Sequence, residues 1–320
     1  MRAVWLTEFG GPEVLVARDM PDPEPGPGQA LVDVAYANIT FIETQFRATG
    51  RGPFTATPPP LVPGNGVGGV VAAVGAGVDP ALVGTRVVSG TGGSGGYASR
   101  AVVDAADVFA VPEGVDLDVA TALLADGRTA TLLVRTVEPK PGERVLVEAA
   151  AGGVGSLLVQ LLTAAGAHVV AAAGGARKLD VARELGADEV VDYREPDWAA
   201  RVDPVDVVLD GVGGDVSRAA FGLLPRGGRM LSYGLASGTW TPVTADEAAA
   251  RGVTLLRNTP APDQLRAATR SALAEAAAGR LRPLIGRRFP LDAAADAHAA
   301  IESRATVGKT LLEVWPAGPL

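Results

Sequence analysis

Cysteine is absent from the 320 residues, so neither a disulfide framework nor a thiolate metal site can form. Histidine is nearly as scarce. His168 and His298 are the two present, far apart in sequence and without a matched carboxylate motif, and both read as structural residues rather than metal ligands. No apolar run reaches about 18 residues without a charge or a Gly/Pro cluster, and the opening "MRAVWLTEFG" carries no long apolar stretch. Neither a membrane span nor a signal peptide is expected, and the chain reads as cytoplasmic. The net charge of −8 repels phosphate backbones and anionic membranes, which argues against nucleic acid or a membrane as partner. What is plentiful is apolar residue, at 48% against 20% charged. That balance belongs to a globular chain, here long enough for two domains.

The two parts differ in grammar. Residues 1–118 are rich in Gly, Pro and Val, with short strand-like runs ("EVLVAR", "ALVDVAYA", "GVGGVVAAVGAGV", "TRVVSG", "YASRAVV") between turn signals, and read as mostly β. From 119 to 258 strands and helices alternate: "RVLVEA", "GSLLVQLLTAAG", "HVVAAA", "ARKLDVARELG", "EVVDY", "DVVLDGV", "DVSRAAFGLL", "RMLSYG" and "VTLLRN". Strands that are apolar throughout predict a parallel sheet covered on both faces, so the fold class is α/β, a doubly wound Rossmann sheet beside a mostly β partial barrel. The tail, 259–320, reads as neither another βα unit nor a linker and is expected to return to the N-terminal domain.

"EAAAGGVG" lies between an apolar strand and an apolar helix. The G-x-G-x-x-G positions are Ala150, Gly152 and Gly155, with Gly153 in addition. Gly152 would let backbone approach a pyrophosphate, Gly155 would let the helix pack close to the sheet, and the helix N-terminus near Val154 would face the phosphates. A bare βα turn is the other reading; the strand and helix on either side favour a dinucleotide. An NAD site places Asp or Glu at the end of the second strand. That strand ends "AAAGGARK", with Arg177 and Lys178 and no acid. NADP(H) fits better, unless both cations are merely solvated.

The chain resembles the zinc-independent quinone oxidoreductases of the medium-chain dehydrogenase/reductase superfamily. "FGGPEVL", "PEPGPGQALV", "FIETQFRATG", "GGYAS", "AAAGGVG", "GADEVVDY" and "AHAAIESRATVGK" fall in that family's order over nearly the whole length. The resemblance implies a GroES-like domain (1–118 and 259–320) and a Rossmann domain (119–258), NADPH bound in the cleft between them, and a homodimer formed edge to edge. It implies a 2′-phosphate site from Gly174, Lys178 and Tyr193, with Arg304 reaching in from the tail. Gly152, Gly153, Val154 and Gly155 match the pyrophosphate loop. Tyr233 and Gly234 match a strand end beside the cofactor. In the zinc branch of the superfamily a histidine ligand occupies the position of Asn65, so no metal is expected.

Two departures bear on the substrate. The family often carries "VNFIDT" followed by Tyr, with Asn and Tyr near the nicotinamide. This chain reads "ITFIETQ", with Thr40 and Gln45 at those places, and Arg128 stands where an apolar residue is common. Thr40, Gln45 and Arg128 are therefore the candidate substrate contacts. Without a Lewis acid the expected reaction is hydride addition to an already electrophilic system, a quinone or enone. The proton would come from water, Thr40 or Tyr233. Enoyl reduction of an acyl thioester, and a role as an NADPH-binding structural or sensor protein without turnover, are the alternatives.

Overall fold

The computed structural model describes residues 1–52 and 58–314. The chain divides into two compact units, Met1–Gly127 with Thr269–Leu320, and Arg128–Ala268. The cuts fall inside two long helices, whereas sequence grammar drew them at 118/119 and 258/259, where composition changes. Residues 315–320, which that reading assigned to the N-terminal domain, lie outside the described residues.

In chain order the first unit begins with β1 (Arg2–Leu6) paired antiparallel to β2 (Leu15–Asp19). Then follow β3 (Gln29–Ile39), α1 (Phe41–Thr49), β4 (Gly66–Val74), β5 (Arg86–Gly90), β6 (Arg100–Asp104) and β7 (Val108–Ala110). Helix α2 (Leu117–Val137) leads out of this unit. The second unit holds β8 (Arg144–Glu148), α3 (Gly153–Ala164), β9 (His168–Ala173), α4 (Ala176–Glu184) and β10 (Glu189–Asp192). It continues with β11 (Val207–Asp210), α5 (Gly214–Gly222), β12 (Arg229–Ser232), α6 (Ala245–Arg251) and β13 (Thr254–Leu256). Helix α7 (Pro262–Ala277) returns the chain to the first unit for β14 (Ile285–Pro290), α8 (Ala294–Glu302) and β15 (Lys309–Glu313).

The first unit is built on a mixed sheet in the order β14-β15-β3-β4-β5-β7, with β6 also on β3. The tail thus completes the N-terminal sheet: β15 lies antiparallel to β3, Leu312 facing Ala37. Inward residues of these strands, among them Val32, Val67, Val87 and Val103, form one buried cluster. The alternation of apolar and turn residues in 1–118 is what such a curled, largely antiparallel sheet requires.

The second unit is a parallel six-stranded sheet in the order β10-β9-β8-β11-β12-β13. The order runs outward in both directions from β8 and β11, so the topological switch point lies between them, where ligands of open α/β sheets bind. The middles of its strands are apolar because helices cover them, and the polar residues sit at the strand ends: Leu146, Val170, Val208 and Met230 share a buried cluster with Phe221. Burying such side chains stabilises by about 1.5–3 kcal/mol each relative to exposure.

Two helices escaped the reading of periodicity, α1 and α6. Both are short, and both begin with a Thr-x-x-Glu capping box, Thr40 with Glu43 and Thr244 with Glu247. Among the described residues no helix is long and apolar enough to cross a membrane.

Candidate functional site

The glycine-rich loop leaves β8 at Glu148 and enters α3. Ala149 holds a left-handed backbone, φ 50°, a conformation that costs an alanine about 1–2 kcal/mol. The turn closes by Gly152 N–H donating to the Ala149 carbonyl at 2.8 Å. Gly152 is the N-cap of α3, and Gly153, Val154 and Gly155 are its first residues. A Cβ on Gly155 would lie 2.2 Å from the Ala149 carbonyl oxygen. Only glycine permits this approach of helix to loop, and the approach aims the unsatisfied N–H groups of the first turn past the strand ends. The geometry of this turn, with the N–H groups of the first helical turn left unpaired, suits an anion.

Gly174 and Gly175 follow β9 and lead into α4. A Cβ on Gly174 would lie 3.4 Å from the Tyr193 ring and 3.1 Å from Arg194 Cδ, so these residues flank the turn. Lys178 is half-buried on the first turns of α4, and Arg177 is exposed beside it. Gly174, Lys178 and Tyr193 are thus gathered at one end of the sheet; Arg304 belongs to the other unit, at an exposed turn after α8. One charge was missed in the sequence. Arg194 donates to Asp192 at 2.8 Å, and Asp192 also accepts the Gly175 N–H at 2.9 Å. The hydrogen bonds from Arg194 chiefly, with that from Gly175, hold the Asp192 carboxyl down to about 2. Asp192, which bonds this turn, is therefore paired with Arg194. The signal was visible as Arg two residues beyond Asp at a strand end.

Below the loop lies a pair of buried carboxyls that pattern reading also missed. Asp210, ending β11, accepts from Val212 N (3.1 Å), Gly213 N (2.8 Å), Ser217 Oγ (2.8 Å) and Ser232 Oγ (2.7 Å). Glu148, ending β8, accepts from Val212 N at 3.1 Å. Burial above all, and then Asp210, push the Glu148 carboxyl well above its ordinary range. The pair ties β8 and β11 to the loop after β11. Tyr233 Oη donates to the Glu148 carbonyl at 3.2 Å, so its proton is engaged by backbone. Gly234 follows; a Cβ there would lie 2.5 Å from the Gly211 carbonyl oxygen.

In the first unit, Thr40 ends the β3 segment and caps α1. Its N–H and its hydroxyl both donate to Glu43 Oε2, at 2.6 and 2.8 Å. Glu43 Oε1 accepts the Asn65 N–H at 3.0 Å, and Asn65 Oδ1 accepts from Asn38 Nδ2 at 2.9 Å. The Thr40 hydroxyl therefore faces a carboxyl, an arrangement the sequence reading did not include. Burial raises the Glu43 carboxyl to about 7 against the opposing hydrogen bonds of Thr40. Gln45 is half-buried on α1, and Arg128 is half-buried on α2 at the first residue of the second unit.

Neither histidine stands among candidate ligands. His298 Nε2 is 2.9 Å from Tyr97 Oη, and burial with nearby Arg47 lowers it to about 3. His168 Nε2 is 2.7 Å from Glu189 Oε1, which also pairs with Arg144 at 2.7 Å. Among the described residues no group of three or more His, Asp or Glu is arranged to hold a metal ion. Asn65 and Glu43 are occupied by each other and by Asn38 and Thr40, and a zinc ion requires a different donor set.

A family model described as an alcohol dehydrogenase GroES-like domain matches residues 26–113, and one described as a zinc-binding dehydrogenase matches residues 185–312. The quinone oxidoreductase of Pseudomonas aeruginosa is 33% identical over 97% of this chain and 99% of its own length. The 2-haloacrylate reductase of a Burkholderia species is 32% identical over 97% of this chain and 98% of its own. The solved structure of Escherichia coli quinone oxidoreductase complexed with NADPH superposes with a TM-score of 0.91 at 31% identity, covering 98% of this chain and 100% of that one. With its glycine cradle at the head of α3 and its relatives matched from end to end, the chain belongs to the quinone oxidoreductase family of the medium-chain dehydrogenase/reductase superfamily.

Proposed function

We propose that the protein is an NADPH-dependent oxidoreductase that reduces a quinone or another conjugated carbonyl without a metal. The observation that carries this reading is the pairing of two features in one Rossmann unit. One is the anion cradle of Gly152, Gly153, Val154 and Gly155; the other is a Gly174–Gly175 turn whose bonded acid, Asp192, is paired with Arg194. The cradle would hold the pyrophosphate. Lys178 and Tyr193 would hold the 2′-phosphate, and Tyr233 and Gly234 would line the cofactor further along.

NADPH, when bound, supplies the hydride. The chain's task is then to orient the acceptor, exclude water and deliver one proton to the anion that results. Thr40 is the residue we place against the acceptor's oxygen, with Gln45 and Arg128 as further substrate contacts. Tyr233 is the weaker proton donor, because its hydroxyl already bonds the Glu148 carbonyl. A second acceptor class has its own support: the 2-haloacrylate reductase relative carries a name that implies reduction of a conjugated acid.

The test is NADPH oxidation by the purified chain with benzoquinones, simple enones, 2-haloacrylate and enoyl thioesters. Turnover with the first three classes is expected. Turnover confined to enoyl thioesters would move the function to enoyl reduction, and no turnover with any acceptor would overturn the reading in favour of a binding protein. The reading also includes a cytoplasmic location, testable by fractionation, and a homodimer. β13 is the last strand in its sheet, with Leu255 and Leu256 half-buried. An edge of this kind is normally covered or paired, and a monomer mass by light scattering across a wide concentration range would reject the dimer.

A further inference from the structure

The chain contains two capping boxes of the same sequence pattern, and they differ in a way that capping does not require. At the start of α6, Thr244 and Glu247 are exposed, and the Glu247 carboxyl is held down to about 2 by the Thr244 N–H first and then by Arg218 and the Thr244 hydroxyl. At the start of α1 the same two bonds are made, yet Glu43 is only 4% exposed while Thr40 remains half-buried. A carboxyl taken out of water for capping alone loses more in desolvation than the cap returns, roughly 1 kcal/mol.

The partners of Glu43 narrow its role. Among the described residues its oxygens meet three donors: Thr40 N–H, Asn65 N–H and the Thr40 hydroxyl. A peptide N–H does not release its proton; a hydroxyl can accept one proton while giving up another. Every proton that enters or leaves Glu43 along these contacts therefore passes through Thr40 Oγ1, the half-buried group. The charged groups around Glu43 are accounted for elsewhere. Lys309 on β15, which favours ionised Glu43, is itself paired with Asp126 on α2 at 3.0 Å. Arg47, one turn further along α1, is paired with Glu302 on α8. Tyr97, the other titratable group that feels Glu43, holds its proton, kept well above its ordinary range chiefly by burial.

We propose that Glu43 is a proton reservoir for the reaction and that Thr40 is the relay through which its proton reaches the reduced substrate. This rests on the reading that the acceptor's oxygen lies against Thr40. The acceptor, having gained a hydride and its electron pair, is an anion that needs one proton. The Thr40 O–H bond breaks as the new O–H bond of the product forms. At the same time the Glu43 Oε2–H bond breaks and its proton passes to Thr40 Oγ1. Thr40 ends as it began, and Glu43 is left a carboxylate holding the three hydrogen bonds described above. Its proton is restored from water by the same path in reverse. Burial places the carboxyl's ionisation at about 7, so it holds and releases a proton at neutral pH.

Two measurements test this on the full chain. Infrared difference spectra across pH should show a protonated carboxyl band that titrates near neutrality in the wild type and is missing from Glu43→Gln. Steady-state turnover of NADPH with a benzoquinone should fall above neutral pH in the wild type. In Glu43→Gln the turnover number should drop by on the order of 10²-fold or more, the fall at high pH should vanish, and NADPH affinity should stay within about twofold. Thr40→Ser should keep the wild-type profile and Thr40→Val should lose it. Glu247→Gln, which opens the other capping box, should turn over as wild type does. Thermal melts of each variant separate loss of fold from loss of relay, and Thr40→Val provides the test should Glu43→Gln not fold. Absence of the band, or a Glu43→Gln enzyme with wild-type turnover and pH profile, overturns the relay alone. A wild type that turns over no acceptor overturns the functional reading and the relay with it.

Discussion

Burying Glu43 has a thermodynamic consequence that does not depend on any substrate. Its carboxyl ionises at about 7 in the folded chain, against 4.5 for an ordinary glutamate. The folded pKa is raised, so the folded state binds the proton more tightly than the unfolded state. Below about pH 4.5 both states are protonated and the group is neutral in effect. Between about 4.5 and 7 the unfolded chain has released the proton and the folded chain has not, so stability falls as pH rises, at about 1.4 kcal/mol per pH unit. Above about 7 both are ionised and the loss levels off at roughly 3 kcal/mol. Glu43→Gln removes the titration and keeps the shape. The assay is urea unfolding of wild type and variant at a series of pH values, reading the difference between the two so that all other titrations cancel. The variant should gain about 3 kcal/mol relative to wild type between pH 4.5 and pH 8. A difference that stays flat across this range would refute the buried, proton-holding state and the argument built on it.

Three further outcomes are expected. Gly155→Val places a side chain where a Cβ already meets the Ala149 carbonyl oxygen at 2.2 Å, so the loop must move; NADPH affinity measured by fluorescence should fall at least tenfold, and an unchanged Kd would contradict the cradle. Arg194→Ala leaves Asp192 uncompensated beside the Gly174–Gly175 turn, so the ratio of NADPH to NADH affinity should fall several-fold, with the Asp192 carboxyl returning upward from about 2. Lys309 and Asp126 form a buried pair at 3.0 Å; Lys309→Met alone should cost about 3–5 kcal/mol in urea unfolding and the double change Asp126→Leu, Lys309→Met much less, whereas equal costs would show the pair is not isolated.

Much of the fold could be read from the amino-acid sequence because its signals are local and periodic. Strands β8, β9 and β11 have apolar middles bounded by turns, the composition that a parallel sheet buried on both faces favours. The return of the tail was legible only by elimination, since pairing of β15 with β3 is a contact between residues as distant as Thr310 and Ile39, which no local pattern encodes. The glycine cradle was legible because backbone approach forbids side chains there. The partners of the candidate residues were not. The hydroxyls of Thr40 and Tyr233 were visible in the sequence, but which atom takes each proton depends on burial and on the neighbouring chain: Glu43 in one case, the Glu148 carbonyl in the other. The Thr-x-x-Glu pattern was present at both 40–43 and 244–247. Burial and tertiary partners distinguish them, Asn65 for Glu43 and Arg218 for Glu247, and both are set by tertiary packing.

The central claim is that this chain moves hydride from NADPH to a conjugated carbonyl. It is tested most directly by following the oxidation of NADPH, and of NADH in parallel, by the purified protein in the presence of a benzoquinone and a chelator. The account predicts sustained turnover that is undiminished by the chelator and at least tenfold more efficient, as kcat/KM, with NADPH than with NADH. Equal efficiency with the two cofactors, or activity that disappears on chelation and returns with zinc, would contradict it.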